Sequence, residues 1–126
     1  MEFAVVLPLL LLLIFGIIEF GRIFQASLVV NHAARESARQ GIVTDIDREA
    51  RIKYVAERAG SSLGLDFENN VTTDPLGDEA LDAMGRGDTL MVKVDYDVVL
   101  VTPIISNLIS DDGRYSVQGK VYMMME

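Results

Sequence analysis

From Phe3 to Ile18 the chain reads Phe-Ala-Val-Val-Leu-Pro-Leu-Leu-Leu-Leu-Leu-Ile-Phe-Gly-Ile-Ile, with no charged or strongly polar side chain. Glu2 stands directly before this run and Glu19 directly after it. Such a stretch is not stable in water. It needs a bilayer or a surround of other apolar helices. Whatever the rest of the chain folds into must carry an element whose shelter lies elsewhere.

Behind the run the balance is that of an ordinary exposed domain. The chain has 126 residues and a formal net charge of −8, and nearly all the excess acid lies after Thr44. An acidic body argues against nucleic acid, because phosphate binding needs a basic patch. The absence of cysteine removes disulfides and thiolate metal sites, and His32 is the lone histidine. No cofactor is expected.

A signal peptide, a membrane anchor and an assembly helix all begin with such a run. A signal peptide carries a basic start and a small-residue cleavage site. No Lys or Arg precedes Phe3, and Ile17-Ile18-Glu19-Phe20-Gly21-Arg22 is a poor cleavage site. For an anchor, the positive-inside rule would put the part after Arg22, Arg35 and Arg39 in the cytoplasm. A basic leader removed from ahead of Met1 would reverse that orientation. The residues leave both readings open.

The apolar run and the helix-forming residues behind it predict one helix from about residue 3 to 41. Pro8 inside it removes a backbone donor and predicts a kink or local melting. Gly16 and Gly21 lower helix propensity by about 1 kcal/mol each, yet permit close approach of a neighbouring helix. Glu19 and Arg22, three residues apart, are placed to pair along one face, which eases their position at the edge of an apolar layer. Ala34, Ser37 and Ala38 share a face, with Ala33 beside it, while Arg35 and Arg39 share another. A stripe of small residues suits either close packing with parallel helices or contact with the chain's own domain. Gln40-Gly41 is expected to end or bend the helix, and Thr44 or Asp45 to cap the next.

Ile52, Val55, Ala56, Ala59 and Leu63 form a one-sided stripe on a second helix over about 47–62. Residues 65–73 read as a weak strand and 74–88 as a loop with a helical turn at 79–84. Residues 89–101 alternate clearly: Leu90, Val92, Val94, Tyr96, Val98 and Leu100 on one side, Lys93, Asp95 and Asp97 on the other. Residues 104–110 read as a short apolar helix or turn. A last strand over 114–125 puts Tyr115, Val117, Val121, Met123 and Met125 on one face. The expected fold is α+β: a long N-terminal hydrophobic helix, then one amphipathic helix on a three-stranded antiparallel sheet. The boundary is expected between 1–42, the assembly or transmembrane helix, and 43–126, the exposed domain.

No catalytic constellation is visible, and the chain is read as a non-enzyme. The acidic groups Asp74/Asp78/Glu79/Asp82 and Asp111/Asp112 lack the alternating spacing of a Ca²⁺ loop, so no metal is expected. Asn70-Val71-Thr72 is a glycosylation-type triplet whose plainer reading is a strand edge. Glu2 is the exception. A carboxylate at the mouth of an apolar run either sits among head groups or awaits a cationic partner, of which the α-amino group of another copy is the obvious one.

Met1-Glu2-Phe3-Ala4-Val5-Val6-Leu7-Pro8, then Gly16-Ile17-Ile18-Glu19-Phe20-Gly21-Arg22, then Ala33-Ala34-Arg35-Glu36-Ser37-Ala38-Arg39 together resemble the TadE-like pilins. These are a branch of the type IV pilin superfamily, made by tight-adherence (Tad) pilus systems. The resemblance covers about the first 40 residues. It implies a precursor held in the cytoplasmic membrane, with a basic leader removed by a dedicated prepilin peptidase. The family's leader and its glycine cleavage residue are not in this sequence, where only Met1 precedes Glu2. It implies extraction from the bilayer by an assembly ATPase and an inner-membrane platform, and stacking into an extracellular helical homo-polymer that supports surface attachment. Glu2 would neutralise the terminal amine of a neighbour. Phe3, Pro8, Gly16, Glu19, Arg22, Ala34 and Ala38 would join it in subunit assembly. The competing expectation is a single-pass anchored protein whose exported domain binds a partner and never polymerises.

Overall fold

The computed structural model of the chain describes residues 2–126, without the side chains of Glu2 and Asp78. Helix α1 (Glu2–Val43) is a single helix of 42 residues that runs unbroken through Pro8. The expected melting there is absent. A proline at the end of the second turn takes away one i to i−4 bond and leaves the rest of the ladder standing. Nor does Gly41 end the helix. A Cβ on it would lie 2.7 Å from Leu90 Cδ2 and 2.9 Å from Ile52 Cδ1, so this glycine admits close packing. The helix stops two residues later, where the Thr44 N–H and hydroxyl both donate to the Gln40 carbonyl, at 3.2 and 2.9 Å.

Helix α2 (Arg48–Ala59) follows a sharp reversal at Asp47, whose φ is 55°. Neither Thr44 nor Asp45 caps it. The Arg48 N–H instead donates to Asp82 Oδ1 at 3.1 Å, a cap brought from helix α4 (Asp78–Asp82). The expected weak strand at 65–73 resolves into two pieces, a helical turn α3 (Phe67–Asn70) and strand β1 (Val71–Asp74). Asp66 causes the first piece. Its carboxylate accepts the Glu68 N–H at 3.3 Å, and its own N–H donates to Asn70 Oδ1 at 3.0 Å. These local bonds outcompete extended pairing. Asn70 Nδ2 is also engaged, donating to the Asp95 carbonyl at 2.9 Å.

Strands β2 (Thr89–Val99) and β3 (Arg114–Met124) complete a three-stranded antiparallel sheet in the order β1-β2-β3. Between them lies a seven-residue helix, α5 (Pro103–Ile109). The α+β class is as the sequence predicts; α4 and α5 stand where a helical turn at 79–84 and a short helix at 104–110 are expected, and α3 and a 3-10 turn at Ser61–Leu63 are additions. Leu90, Val92, Val94 and Val98 turn inward, opposite Met123, Val121, Gly119 and Tyr115. The outer face is polar: Lys93 pairs with Asp95 at 3.0 Å, Gln118 donates to Asp95 at 2.8 Å, and Ser116 donates to Asp97. Tyr115, expected inward, stays half exposed at the end of the sheet farthest from α2.

Three contacts fix how α1 lies on the sheet. Gly41 meets Leu90; a Cβ on Gly119 would stand 2.8 Å from the Val30 carbonyl oxygen; Glu19 meets Val101 and Thr102. From Gly41 to Glu19 a helix rises about 33 Å, and from Leu90 to Val101 a strand extends about 36 Å. The second half of α1 and β2 therefore run side by side in opposite directions. Ala26, Val30, Ala33, Ala34 and Ala38 of α1 are buried in one cluster with Ile52, Ala56, Leu81 and the inward row of β2. The packed domain thus includes the second half of α1, and the apolar front extends beyond it.

Candidate assembly and membrane-facing helix

Among the described residues the front of α1 is left largely uncovered, with only the connection around α5 coming near it. Phe3 is 86% exposed, and nearly every large side chain from Val5 to Ile18 is open as well. The helix is long and apolar enough to cross a membrane. About 20 residues span a hydrocarbon layer of about 30 Å, which is the distance from Phe3 to Arg22. A Cβ at Gly16 or Gly21 would meet nothing within 4 Å, so both glycines face open space. Pro8 lies on the same free segment. The side chain of Glu2, and Met1 with its amine, lie outside the described residues.

Glu19 closes this segment and is only 3% exposed. Its Oε1 accepts the N–H of Val101 at 2.6 Å, the N–H of Thr102 at 2.8 Å and the Thr102 hydroxyl at 3.1 Å. Its Oε2 pairs with Arg22 at 3.2 Å, the i, i+3 contact the spacing predicts. A carboxylate so enclosed is held by charge-assisted bonds that a neutral acceptor matches poorly. Glu19 therefore ties the connection between β2 and β3 to the point where α1 leaves the domain. Sequence spacing points to the Arg22 partner and not to the two amides. A signal for them was present: Val101 and Thr102 stand before Pro103, where a strand has ended and amides are left without ladder partners.

Ala34 and Ala38 are fully buried inside the subunit, against its own helix α2 and sheet. Of the two roles open to the small-residue stripe, contact with the chain's own domain is the one these side chains fill. Small residues are needed because β3 comes so near α1 at Gly119. Ser37 on the same face bonds back to the Ala33 and Ala34 carbonyls.

Arg48 is a second buried charge, and sequence reasoning passed over it. Its guanidinium donates to the carbonyls of Leu81 at 2.6 Å, Met84 at 3.1 Å and Thr44 at 2.7 Å, with Asp45 at 3.8 Å. It stitches the loop around α4 to the end of α1. Arg48, Ile52 and Ala56 stand four apart on the buried face of α2, so the helical period itself pointed inward at position 48. Among the described residues no group of three or more His, Cys, Asp or Glu could hold a metal ion.

No curated protein and no solved structure matches the chain significantly. The model of one family does match: residues 1–39 fit the TadE-like protein family, a structural, pilus-associated family, over the same segment that carries the three N-terminal motifs.

Proposed function

We propose that this chain is a pilin: a structural subunit of an extracellular, helical Tad-type pilus that supports attachment to surfaces. The observation that carries the reading is the division of α1. Its second half is the backbone of a folded domain, while its front presents an uncovered apolar helix in the segment that fits the TadE-like family. Burying the side chains of Phe3–Ile18 relative to water is worth tens of kcal/mol, at about 1.5–3 kcal/mol each. Transfer from lipid into a bundle of like helices yields far less, because lipid already hides them. Assembly therefore requires work from outside, which an assembly ATPase acting through an inner-membrane platform would supply after prepilin peptidase processing. Within the filament Phe3, Pro8 and Gly16 contact neighbouring helices, and Glu2 neutralises a neighbour's terminal amine. Ala34 and Ala38 support assembly indirectly, by holding the domain on the helix, and Glu19 with Arg22 fixes the angle at which the front emerges.

A single apolar helix long enough to cross a membrane also favours a second reading, an anchored protein that binds a partner without polymerising. Glu2→Gln separates the two. Under the pilin reading this variant gives few or no filaments by electron microscopy while the exposed domain stays folded. Filaments of normal number and length would refute the pairing of Glu2 with the amine.

A further inference from the structure

The connection between β2 and β3 is greasy where a hairpin tip is usually polar. Val101 is 72% exposed, Ile104 64% and Leu108 86%, and Val99 and Ile109 are open as well. No charged residue occurs between Asp97 and Asp111. This connection does not point away from the apolar front of α1; it lies along it. Thr102, Ile104 and Ile105 share one crevice with Leu11, Leu12 and Phe15. Pro8 lines the same crevice and is eleven residues before Glu19, so the crevice reaches about 17 Å beyond the level where α1 leaves the domain. Anything that immerses Leu11–Phe15 must immerse α5 with them.

We infer that α5 and its flanks form a second membrane contact, entering the outer leaflet of the bilayer beside α1 while the subunit is still anchored. The inference rests on the reading of Phe3–Ile18 as a membrane segment. Interfacial elements settle about 5–10 Å into the boundary between head groups and acyl chains. The crevice begins at that depth, at Phe15 about 6 Å below Glu19, and continues to Pro8 about 17 Å below it, so the foot enters through the interface and reaches the acyl layer. Much of the backbone of the connection is satisfied internally, as a medium poor in water favours, although the Ile104 and Ile105 N–H groups in the first turn of α5 receive no side-chain cap. The Val101 and Thr102 amides are taken by Glu19, and Pro103 has none to satisfy. The Ser106 N–H donates to the Thr102 carbonyl, Ser110 N–H to Ser106, and Leu100 N–H to Gly113, each at 2.9 Å. The Ser106 hydroxyl donates to Pro103 and the Ser110 hydroxyl to Arg114, at 3.0 and 2.8 Å. Asp111, Asp112 and Arg114 then mark the return to water. Glu19 is therefore a positioning residue for a lipid-facing foot as well as an end to the helix front.

The chain contains no tryptophan, so a single introduced Trp reports one site. L108W, I104W, F15W and Y54W are made in the full chain and reconstituted into phosphatidylcholine–phosphatidylglycerol vesicles with brominated acyl chains. Tyr54 lies on α2, away from α5. The expected result is blue-shifted emission and strong bromine quenching for F15W, L108W and I104W, about twofold or more above Y54W, as interfacial burial requires. If F15W is quenched while L108W and I104W are not, this inference alone is overturned, whether those sites face water or another protein surface. If F15W is not quenched, the membrane reading fails and the inference fails with it. Leu108 and Ile104 are exposed, so neither substitution disturbs the core.

Discussion

Gly119 and Gly41 are both glycines at close contacts, and they should respond differently to a methyl group. At Gly119 the obstacle is the α1 backbone itself, with the Val30 oxygen at 2.8 Å and Asn31 Cα at 3.0 Å. Backbone cannot step aside without moving the helix off the sheet. Gly119→Ala should destabilise the domain by about 1–3 kcal/mol, read as a lowered melting temperature in detergent. At Gly41 the nearest atoms belong to the side chains of Leu90 and Ile52, which can shift. The Ala also gains about 1 kcal/mol of helix propensity. Gly41→Ala should lose less than half of what Gly119→Ala loses, and equal losses would show that α1 is not held so close to β3. Neither role was legible in the chain. Gly41 resembles a helix stop and Gly119 an interruption in a strand, since a glycine tells nothing of the element that crosses it. Arg48 was more accessible, because its place on the α2 stripe follows from period alone, although two of its three carbonyl partners, Leu81 and Met84, lie more than thirty positions away.

The elements were legible where one interaction dominated. Alternation from Leu90 to Val98 specifies β2 because one face is buried and the other wet, and the uninterrupted apolar run specifies the front of α1. Reading failed where local side-chain bonds compete with pairing, as at Asp66–Asn70, and where a contact joins distant elements, as between Glu19 and Thr102. That last contact gives the clearest prediction at this scale. Glu19→Ala removes three accepted bonds and the partner of Arg22, and buried amides left unsatisfied cost about 1–3 kcal/mol each. Hydrogen exchange at Val101 and Thr102 should rise at least about tenfold, the connection with α5 should loosen from α1, and the sheet should stay protected. Glu19→Gln retains an acceptor oxygen at the same place and should lose clearly less protection. Equal exchange in Glu19→Ala and the unaltered chain would mean that the connection is held by its apolar contacts alone.

The molecule as a whole is a folded domain built around half of a helix whose other half is largely uncovered among the described residues, with α5 alone beside it. The helix lies against sheet and α2 from Ala26 to Gly41 and is largely exposed from Phe3 to Ile18, with α5 near one side. A bilayer would shelter this exposed half, and in the proposed filament a bundle of equivalent helices would shelter it in water. The sequence pointed to this division through the contrast between its front and its acidic body. It could not fix where the domain begins, because the stripe from Ala33 to Ala38 serves a neighbouring helix and the chain's own sheet equally well until the sheet is in place. The central claim is that the free half ends in a filament outside the cell, away from lipid. The most direct measurement is immunogold electron microscopy, with an antibody to the exposed domain, on material sheared from the cells that make this chain and on their membranes. The account predicts gold along thin filaments in the sheared fraction. Label confined to the membrane fraction, with unlabelled filaments or none, would contradict it.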